Sequence, residues 1–277
     1  MRPALAQIST LNSPFDGDVR EYAASQCSAL EVWLTKLEDY LQTHSLDDTR
    51  QLLDREQMVL AAAAQQGGVL ASQGEGRREA WQLMERRLQL LQQLGCPTLI
   101  VSCDVPAPLG ATDADRVRVS LSQAADVAAR YGVRLALEFQ ARSSLGNNLQ
   151  TAAALVREAG HPHLGLCFDA FHYYVGPSKP DDLGLLTRDN LFHVQLCDVA
   201  DVPRELAADG HRILPGDGDI PLKPVIDRLC EIGYEGYVSV ELMNPRIWQI
   251  PPRQFSEIAM TAIRKLLGHA SMSGGEN

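Results

Sequence analysis

The sequence lacks a long apolar run, a paired-cysteine motif and an excess of basic residues. No stretch approaches the ~18 consecutive apolar residues that a membrane-spanning helix needs, and the first residues lack the apolar segment of a secretory signal peptide. The six cysteines are scattered, without CxxC or zinc-finger spacing. Such a pattern is typical of free thiols in a reducing compartment, so a cytoplasmic protein without a membrane partner is expected.

Several functional motifs are also missing. There is no phosphate-binding GxxxxGK[ST] loop, no GxSxG elbow and no HExxH pair. Aromatic residues make up only 6% of the chain, and basic residues do not alternate with them. The formal net charge of −10 argues against nucleic acid or an anionic membrane as the main partner. A small-molecule partner is the remaining expectation.

Eight short apolar runs alternate with helical patterns along the 277 residues. The predicted strands are residues 4–9, 29–34, 58–64, 98–103, 133–139, 164–169, 191–197 and 237–241. This alternation predicts parallel βαβ units, and eight of them favour a closed barrel. An open doubly wound sheet is the alternative, but no GxGxxG follows the first predicted strand. The fold class is therefore α/β, a (β/α)8 TIM barrel in a single domain over residues 1–277.

Helical spacing and caps define the segments between the strands. The predicted helices are residues 16–25, 35–43, 45–55, 77–94, 112–131, 148–159, 181–186, 222–232 and 255–267. Ser45 is the expected N-cap of the third helix. The glycine-rich segment 66–76 is expected to be a long loose loop bordering a site. The polar tail at 271–277 is expected to be frayed.

Four oxygen-bearing side chains stand at or near the C-terminal ends of predicted strands five to eight: Glu138, Asp169, Gln195 and Glu241. In a barrel the carboxyl ends of consecutive strands meet at one face, so these side chains are expected to converge. An ionised carboxylate in an apolar strand costs several kcal/mol unless it is paired or bound to a metal. Three carboxylates and an amide oxygen suit a hard divalent ion such as Mg²⁺ or Mn²⁺. The alternative is that each carboxylate caps a helix or pairs with an arginine.

Three further residues are candidates for substrate contact. His172, three residues after Asp169, could bind a substrate oxygen, shuttle a proton or simply pack at the surface. His193 faces the same side of its strand as Gln195. It could support Gln195, contact the substrate or act as an alternative metal ligand. Arg212, before the Pro-Gly-Asp-Gly turn at 215–218, could bind a hydroxyl, carboxylate or phosphate, or be a solvated turn residue.

Taken together, these segments resemble the xylose isomerase-like TIM barrel superfamily. The resemblance is carried by LALEF at 135–139, CFDAFH at 167–172, FHVQLCD at 192–198, RILPGDG at 212–218 and VSVEL at 238–242. Within the superfamily, the sequence is most similar to sugar phosphate isomerase/epimerase proteins of the inosose isomerase kind.

The resemblance implies a divalent metal (Mg²⁺, Mn²⁺, Co²⁺ or Zn²⁺) held by Glu138, Asp169, Gln195 and Glu241, with substrate-binding roles for His172 and Arg212. Many members carry histidine where Gln195 stands. Glutamine occurs there in members that resemble hydroxypyruvate isomerase and bacterial 3-dehydroshikimate dehydratase. The departure therefore bears on the identity of the metal and on how tightly it is bound.

The expected activity is a metal-dependent isomerisation or epimerisation of a sugar or polyol through an enediolate. Glu138 and Glu241 would be catalytic and relay the proton, while His172, Arg212 and His193 would contact substrate. A lyase or dehydratase acting on 3-dehydroshikimate, an inosose or a 3-keto sugar is the close alternative. An abasic-site endonuclease and a non-catalytic sugar-binding barrel are further alternatives. Homo-oligomers are frequent in such families.

Overall fold

Eight parallel strands close into a barrel in the computed structural model, which describes residues 1–268. The barrel strands β1 to β8 are Arg2–Ala6, Ala29–Trp33, Val59–Gln66, Thr98–Ser102, Arg134–Glu138, Leu164–Asp169, Leu191–Leu196 and Tyr237–Val240. Each strand pairs with its neighbours in the sequence, and β8 closes the ring against β1. The predicted (β/α)8 TIM barrel is confirmed, and the open doubly wound sheet is excluded. The predicted frayed tail lies outside the described residues.

Helices cover the outside of the barrel. Helices α1 to α9 are Phe15–Ala24, Leu34–Tyr40, Leu46–Arg55, Gly74–Leu94, Asp113–Arg130, Leu149–Ala159, Ala170–Val175, Leu222–Glu231 and Pro252–Leu266. Within the described part of the chain, no helix has both the length and the apolar character needed to cross a membrane.

One predicted loop was too long, one predicted short helix is present with a different type, and one short helix was not predicted. The irregular segment after β3 is shorter than the predicted 66–76 loop, because Gln66 still pairs with Val101 in the sheet and α4 already begins at Gly74. The helix predicted at 181–186 is a 3-10 helix, Pro180–Leu185. The short helix α7 directly after β6 was not predicted at all. The N-cap prediction is confirmed, since the Ser45 hydroxyl accepts from the backbone N–H of Asp48 at 3.1 Å in a complete capping box.

Alternation along the strands separates two apolar regions. Leu135 and Leu137 of β5 belong to the main core, which also contains the apolar faces of the helices. Ala136 belongs instead to a small cluster of Ala62, Ala64, Ile100, Ala136 and Cys167. Because side chains alternate with period two, this cluster lies inside the barrel, and Glu138 points inward with Ala136.

A two-stranded antiparallel ribbon returns the chain to the barrel mouth after β7. Asp198–Val199 pairs with Arg212–Ile213, so that Val199 lies opposite Arg212. The ribbon holds Arg212 with only 1% of its surface exposed. The structure therefore contradicts the alternative of a solvated turn residue at this position.

Candidate active site

The sheet register brings the strand-end residues to one face of the barrel. Glu138 is the last residue of β5, and Asp169 is the last residue of β6. Asp169 pairs with Gln195 of β7, while Glu241 directly follows β8. All four side chains are buried. Carboxylates concentrated in an apolar barrel require compensation by cations or protons.

Arg212 connects two of these carboxylates. Its Nη1 donates to Asp169 Oδ2 at 2.8 Å and to Glu241 Oε2 at 2.7 Å. Its guanidinium carbon lies 4.3 Å from the ring centre of Phe171, and Nη2 donates to Asp209 at 2.9 Å. Burial alone would lower the pKa of Arg212, but the charges of Asp169 and Glu241 raise it well above its usual value. Arg212 is therefore a permanent cation within the site.

Two glutamines hold the carboxylate of Glu138. Gln65 Nε2 donates to Oε2 of Glu138 at 2.9 Å, and Gln140 Nε2 donates to the same oxygen at 2.5 Å. Burial and then the charge of Asp169 raise the pKa of Glu138 to about 8. The sequence analysis missed both glutamines. The only signal was the position of Gln140 two residues after Glu138.

Asp169 has a double role. Its Oδ1 accepts from the backbone N–H groups of Phe171 at 2.6 Å and His172 at 3.2 Å, which caps α7. Burial would raise the pKa of Asp169, but Arg212 and His172 outweigh burial and lower it below its usual value. Asp169 therefore remains ionised and fixes the position of His172.

His172 lies beside Asp169 with its Nε2 3.9 Å from Oδ2. The backbone N–H of Ala141 donates to His172 Nδ1 at 3.4 Å. Burial lowers the pKa of His172, which favours the neutral ring. In a neutral ring whose Nδ1 accepts, the proton is on Nε2, so that atom donates a hydrogen bond.

A polar network lies between β2, β7 and β8. Gln195 Nε2 donates to Glu31 at 2.8 Å and to Glu241 at 3.0 Å, and its oxygen accepts from the Cys167 thiol at 3.2 Å. The acceptor at Glu31 faces the amide nitrogen and the Cys167 thiol faces the amide oxygen, and these contacts set the amide orientation. His193 Nε2 lies 2.7 Å from Glu31 and 2.9 Å from the hydroxyl of Ser239. The substrate contact predicted for His193 thus stays a prediction, and Glu31 is a site residue that the sequence analysis did not identify.

The donor set suits a divalent cation. Potential ligand atoms of Glu138, Asp169 and His172 lie within 4.8 Å of one another. Glu31 and Glu241 add two more buried carboxyls to the group. Burial raises the pKa of Glu241 well above its usual value, as it raises that of Glu138, so protons offset part of the charge when no ion is bound. A divalent ion can replace those protons, and hard oxygen donors with one imidazole fit such an ion.

Comparison with known proteins identifies enzymes whose sequences are similar to this chain. An inosose isomerase of Halalkalibacterium halodurans is 27% identical over 220 residues, which is 78% of each chain. An inosose isomerase of Bacillus velezensis is 33% identical, but the match covers only 47% of each chain. A 3-dehydroshikimate dehydratase of Pseudomonas putida is 29% identical over 61% of this chain and 27% of its own length.

Solved structures and a family model complete the comparison. The crystal structure of the IolI protein, described with a bound zinc atom, superposes with a TM-score of 0.90 at 22% identity, covering 98% of this chain and all of that one. A likeness at this identity establishes the fold alone. The family model described as xylose isomerase-like TIM barrel matches residues 19–266. The chain therefore belongs to the xylose isomerase-like TIM barrel family.

Proposed function

We propose that the chain is a divalent-metal-dependent isomerase or epimerase of a sugar or polyol, which moves a proton between neighbouring carbons. The observation that carries this proposal is the pair of buried carboxyls Glu138 and Glu241, both with raised pKa values. A carboxyl whose pKa is raised from its usual value, as that of Glu138 is to about 8, can take a proton from carbon and return it. One of the two acts as the base and the other as the acid.

The proposed metal ligands are Glu138, Asp169, Gln195 and Glu241. When bound there, a divalent ion supplies Lewis acidity, which polarises a substrate carbonyl and acidifies the adjacent C–H bond. Because the amide nitrogen of Gln195 faces Glu241, its use as a ligand requires the amide to exchange its oxygen and nitrogen positions. His172 is the alternative fourth donor, since it lies with Glu138 and Asp169 in one group.

The other polar residues orient the substrate and the proton carriers. The Nε2–H of His172 can donate to a substrate oxygen next to Asp169, because Nδ1 already accepts from Ala141. Arg212 holds the carboxylates of Asp169 and Glu241 with a single nitrogen. Fixing these groups before substrate arrives reduces the reorganisation needed in the transition state.

The loop after β7 supports a substrate without a phosphate group. Phosphate sites in TIM barrels are often built from backbone N–H groups after the last two strands. Here the Asp198 carboxylate accepts from the N–H groups of Val199 at 2.9 Å, Gly216 at 3.0 Å and Ile220 at 2.8 Å. A fixed carboxylate thus uses the donors that a phosphate would need.

A dehydratase acting on a keto-polyol is the second candidate. Dehydratases of Pseudomonas putida and Lactiplantibacillus plantarum are among the relatives. Glutamine at the position of Gln195 is compatible with this reaction, since it occurs in dehydratase members of the superfamily as well as in members that resemble hydroxypyruvate isomerase. Both reactions begin with removal of a proton next to a carbonyl. They differ in whether a β-hydroxyl then leaves.

Incubation with inososes, 3-keto sugars and 3-dehydroshikimate in deuterated water tests the proposal. Deuterium incorporation without loss of water supports the isomerase, whereas an absorbing enone product supports the dehydratase. Glu138→Gln should abolish either reaction while keeping the fold, and the exposed Glu235→Gln should leave it unchanged. If no candidate exchanges or loses water, or if Glu138→Gln keeps wild-type turnover, the proposal fails.

A further inference from the structure

A cavity of about 350 Å³ opens at the carboxyl ends of β3, β4 and β5. Its wall includes Gln65 and Gln140, the two residues whose amides hold the Glu138 carboxylate. Asp104 and Arg142 contribute one charge of each sign. The cavity is therefore a polar space without net charge, and its wall contains both glutamines that hold a proposed catalytic carboxyl.

Ser102 belongs to the same wall and lies at the end of β4. In the sheet it pairs with Glu138, so the two residues occupy adjacent strands about 4.8 Å apart. Ser102 alternates with Leu99 and Val101 of the main core and therefore points into the barrel, as Ile100 does. A group bound next to the Glu138 side chain would also lie next to Ser102.

The hydroxyl of Ser102 has no hydrogen-bond partner. The residue is 4% exposed, and its Oγ is one of three buried side-chain N or O atoms without a partner among residues 1–268. Ser143, in the same wall, is fully engaged, since its Oγ donates to the carbonyl of Leu145 at 2.7 Å and accepts from the N–H of Val105 at 3.0 Å. An unpaired buried hydroxyl lowers stability. The chain itself offers no compensation for Ser102.

We infer that Ser102 is a substrate-binding residue, whose hydroxyl forms a hydrogen bond with a hydroxyl of the polyol bound beside Glu138. The inference rests on the proposed function and adds a contact that determines which substrate hydroxyl is recognised. Rotation about χ1 moves the oxygen among three staggered positions, so it can meet a ligand in the cavity without a change in the backbone. The neutral lining of the cavity suits uncharged hydroxyl groups.

The test compares Ser102→Ala with the wild type, using an inosose and its monodeoxy analogues as substrates. The alanine variant should raise KM about tenfold and leave kcat nearly unchanged, because the lost contact is made equally in the bound and transition states. One deoxy analogue should show the same rise in KM with the wild-type enzyme, and Ser102→Ala should not raise the KM for that analogue further. The thermal midpoint of Ser102→Ala should equal or exceed that of the wild type, because the substitution removes an unpaired buried hydroxyl.

Ser256→Ala is the matched control. Ser256 is fully buried in α9, and its hydroxyl pairs with that of Ser25 at 2.6 Å, away from the site. This variant should lower the thermal midpoint and leave KM unchanged. If the wild type turns over the inosose and Ser102→Ala has an unchanged KM, the Ser102 assignment is overturned and the proposed function stands. If the wild type converts another of the candidate substrates instead, the same comparison is made with that substrate and its monodeoxy analogues. If the wild type converts none of the inososes, 3-keto sugars or 3-dehydroshikimate, both the Ser102 assignment and the proposed function are overturned.

Discussion

At the residue scale, the balance between Arg212 and the buried carboxylates determines the chemistry of the site. Arg212 keeps Asp169 ionised, whereas Glu138 and Glu241 retain raised pKa values. The sequence analysis gave helix capping and arginine pairing as the alternative to a metal; Asp169 shows both and Glu241 shows the pairing, but the sequence did not name Arg212 as the partner. The pattern located the carboxylates. Their pairing with Arg212 joins residues that are 43 and 29 positions apart, and it depends on the ribbon that holds Arg212 at the barrel mouth.

Arg212→Met should destabilise the protein strongly. Removing the guanidinium leaves Asp169 and Glu241 buried without their partner, which typically costs about 3–5 kcal/mol. Chemical denaturation measures the change. Arg188→Met is the control, because Arg188 and Glu235 form an exposed pair worth less than about 1 kcal/mol. Equal losses in the two variants would contradict the role given to Arg212.

The metal-free protein should lose stability as the pH rises. Glu138 has a folded pKa of about 8, above its ordinary 4.5, so its protonated form stabilises the folded state. This contribution to the free energy of unfolding is fully present below pH 4.5. Between pH 4.5 and about pH 8 it falls by about 1.4 kcal/mol per pH unit. Denaturation of chelator-treated protein across this range measures the slope. Glu138→Gln should reduce it, and an identical slope in the variant would be contrary to this assignment.

Gln195→His should tighten zinc binding. Glu31 lies 2.8 Å from Gln195 Nε2, where it could accept from the second ring nitrogen of a histidine and orient it toward the metal. Calorimetric titration should give a dissociation constant at least about tenfold lower than that of the wild type. An unchanged or weaker constant would mean that position 195 does not face the ion.

At the element scale, periodicity predicted the strands well and the short connecting elements poorly. The predicted strand at 164–169 coincides with β6, and the others differ by one to three residues at an end. Helix α7 was missed because it has only six residues, several of them aromatic, and is capped by the site residue Asp169. Its formation depends on the tertiary position of that carboxylate, which a local pattern does not contain.

Ser45→Ala should weaken the start of α3. The substitution removes the hydroxyl that accepts from the Asp48 N–H, which typically costs about 1 kcal/mol. Gln51→Ala, at an exposed position within the same helix, should change stability by less than about 0.5 kcal/mol. The difference in free energy of unfolding between the two variants is the measurement. A negligible cost for Ser45→Ala would show that the cap does not contribute.

At the scale of the whole molecule, the sequence was sufficient for the barrel and for the face that carries the site. The carboxyl ends of consecutive strands must share one rim, so Glu138, Asp169, Gln195 and Glu241 could be assigned to it in advance. Gln65, Glu31 and Ser102 could not, because they come from strands two to four and bear no motif. Their relation to the site is visible only when the barrel closes.

Divalent-metal titration into chelator-treated protein tests the central claim most directly. We expect one ion per chain to bind with release of protons near neutral pH, because burial raises the pKa of Glu138 to about 8 in the ion-free protein and also raises that of Glu241. Glu138→Gln should weaken binding by at least about tenfold. Saturable binding at one site that depends on Glu138 is the predicted result. The absence of such binding, or an equal affinity in Glu138→Gln, would contradict the claim.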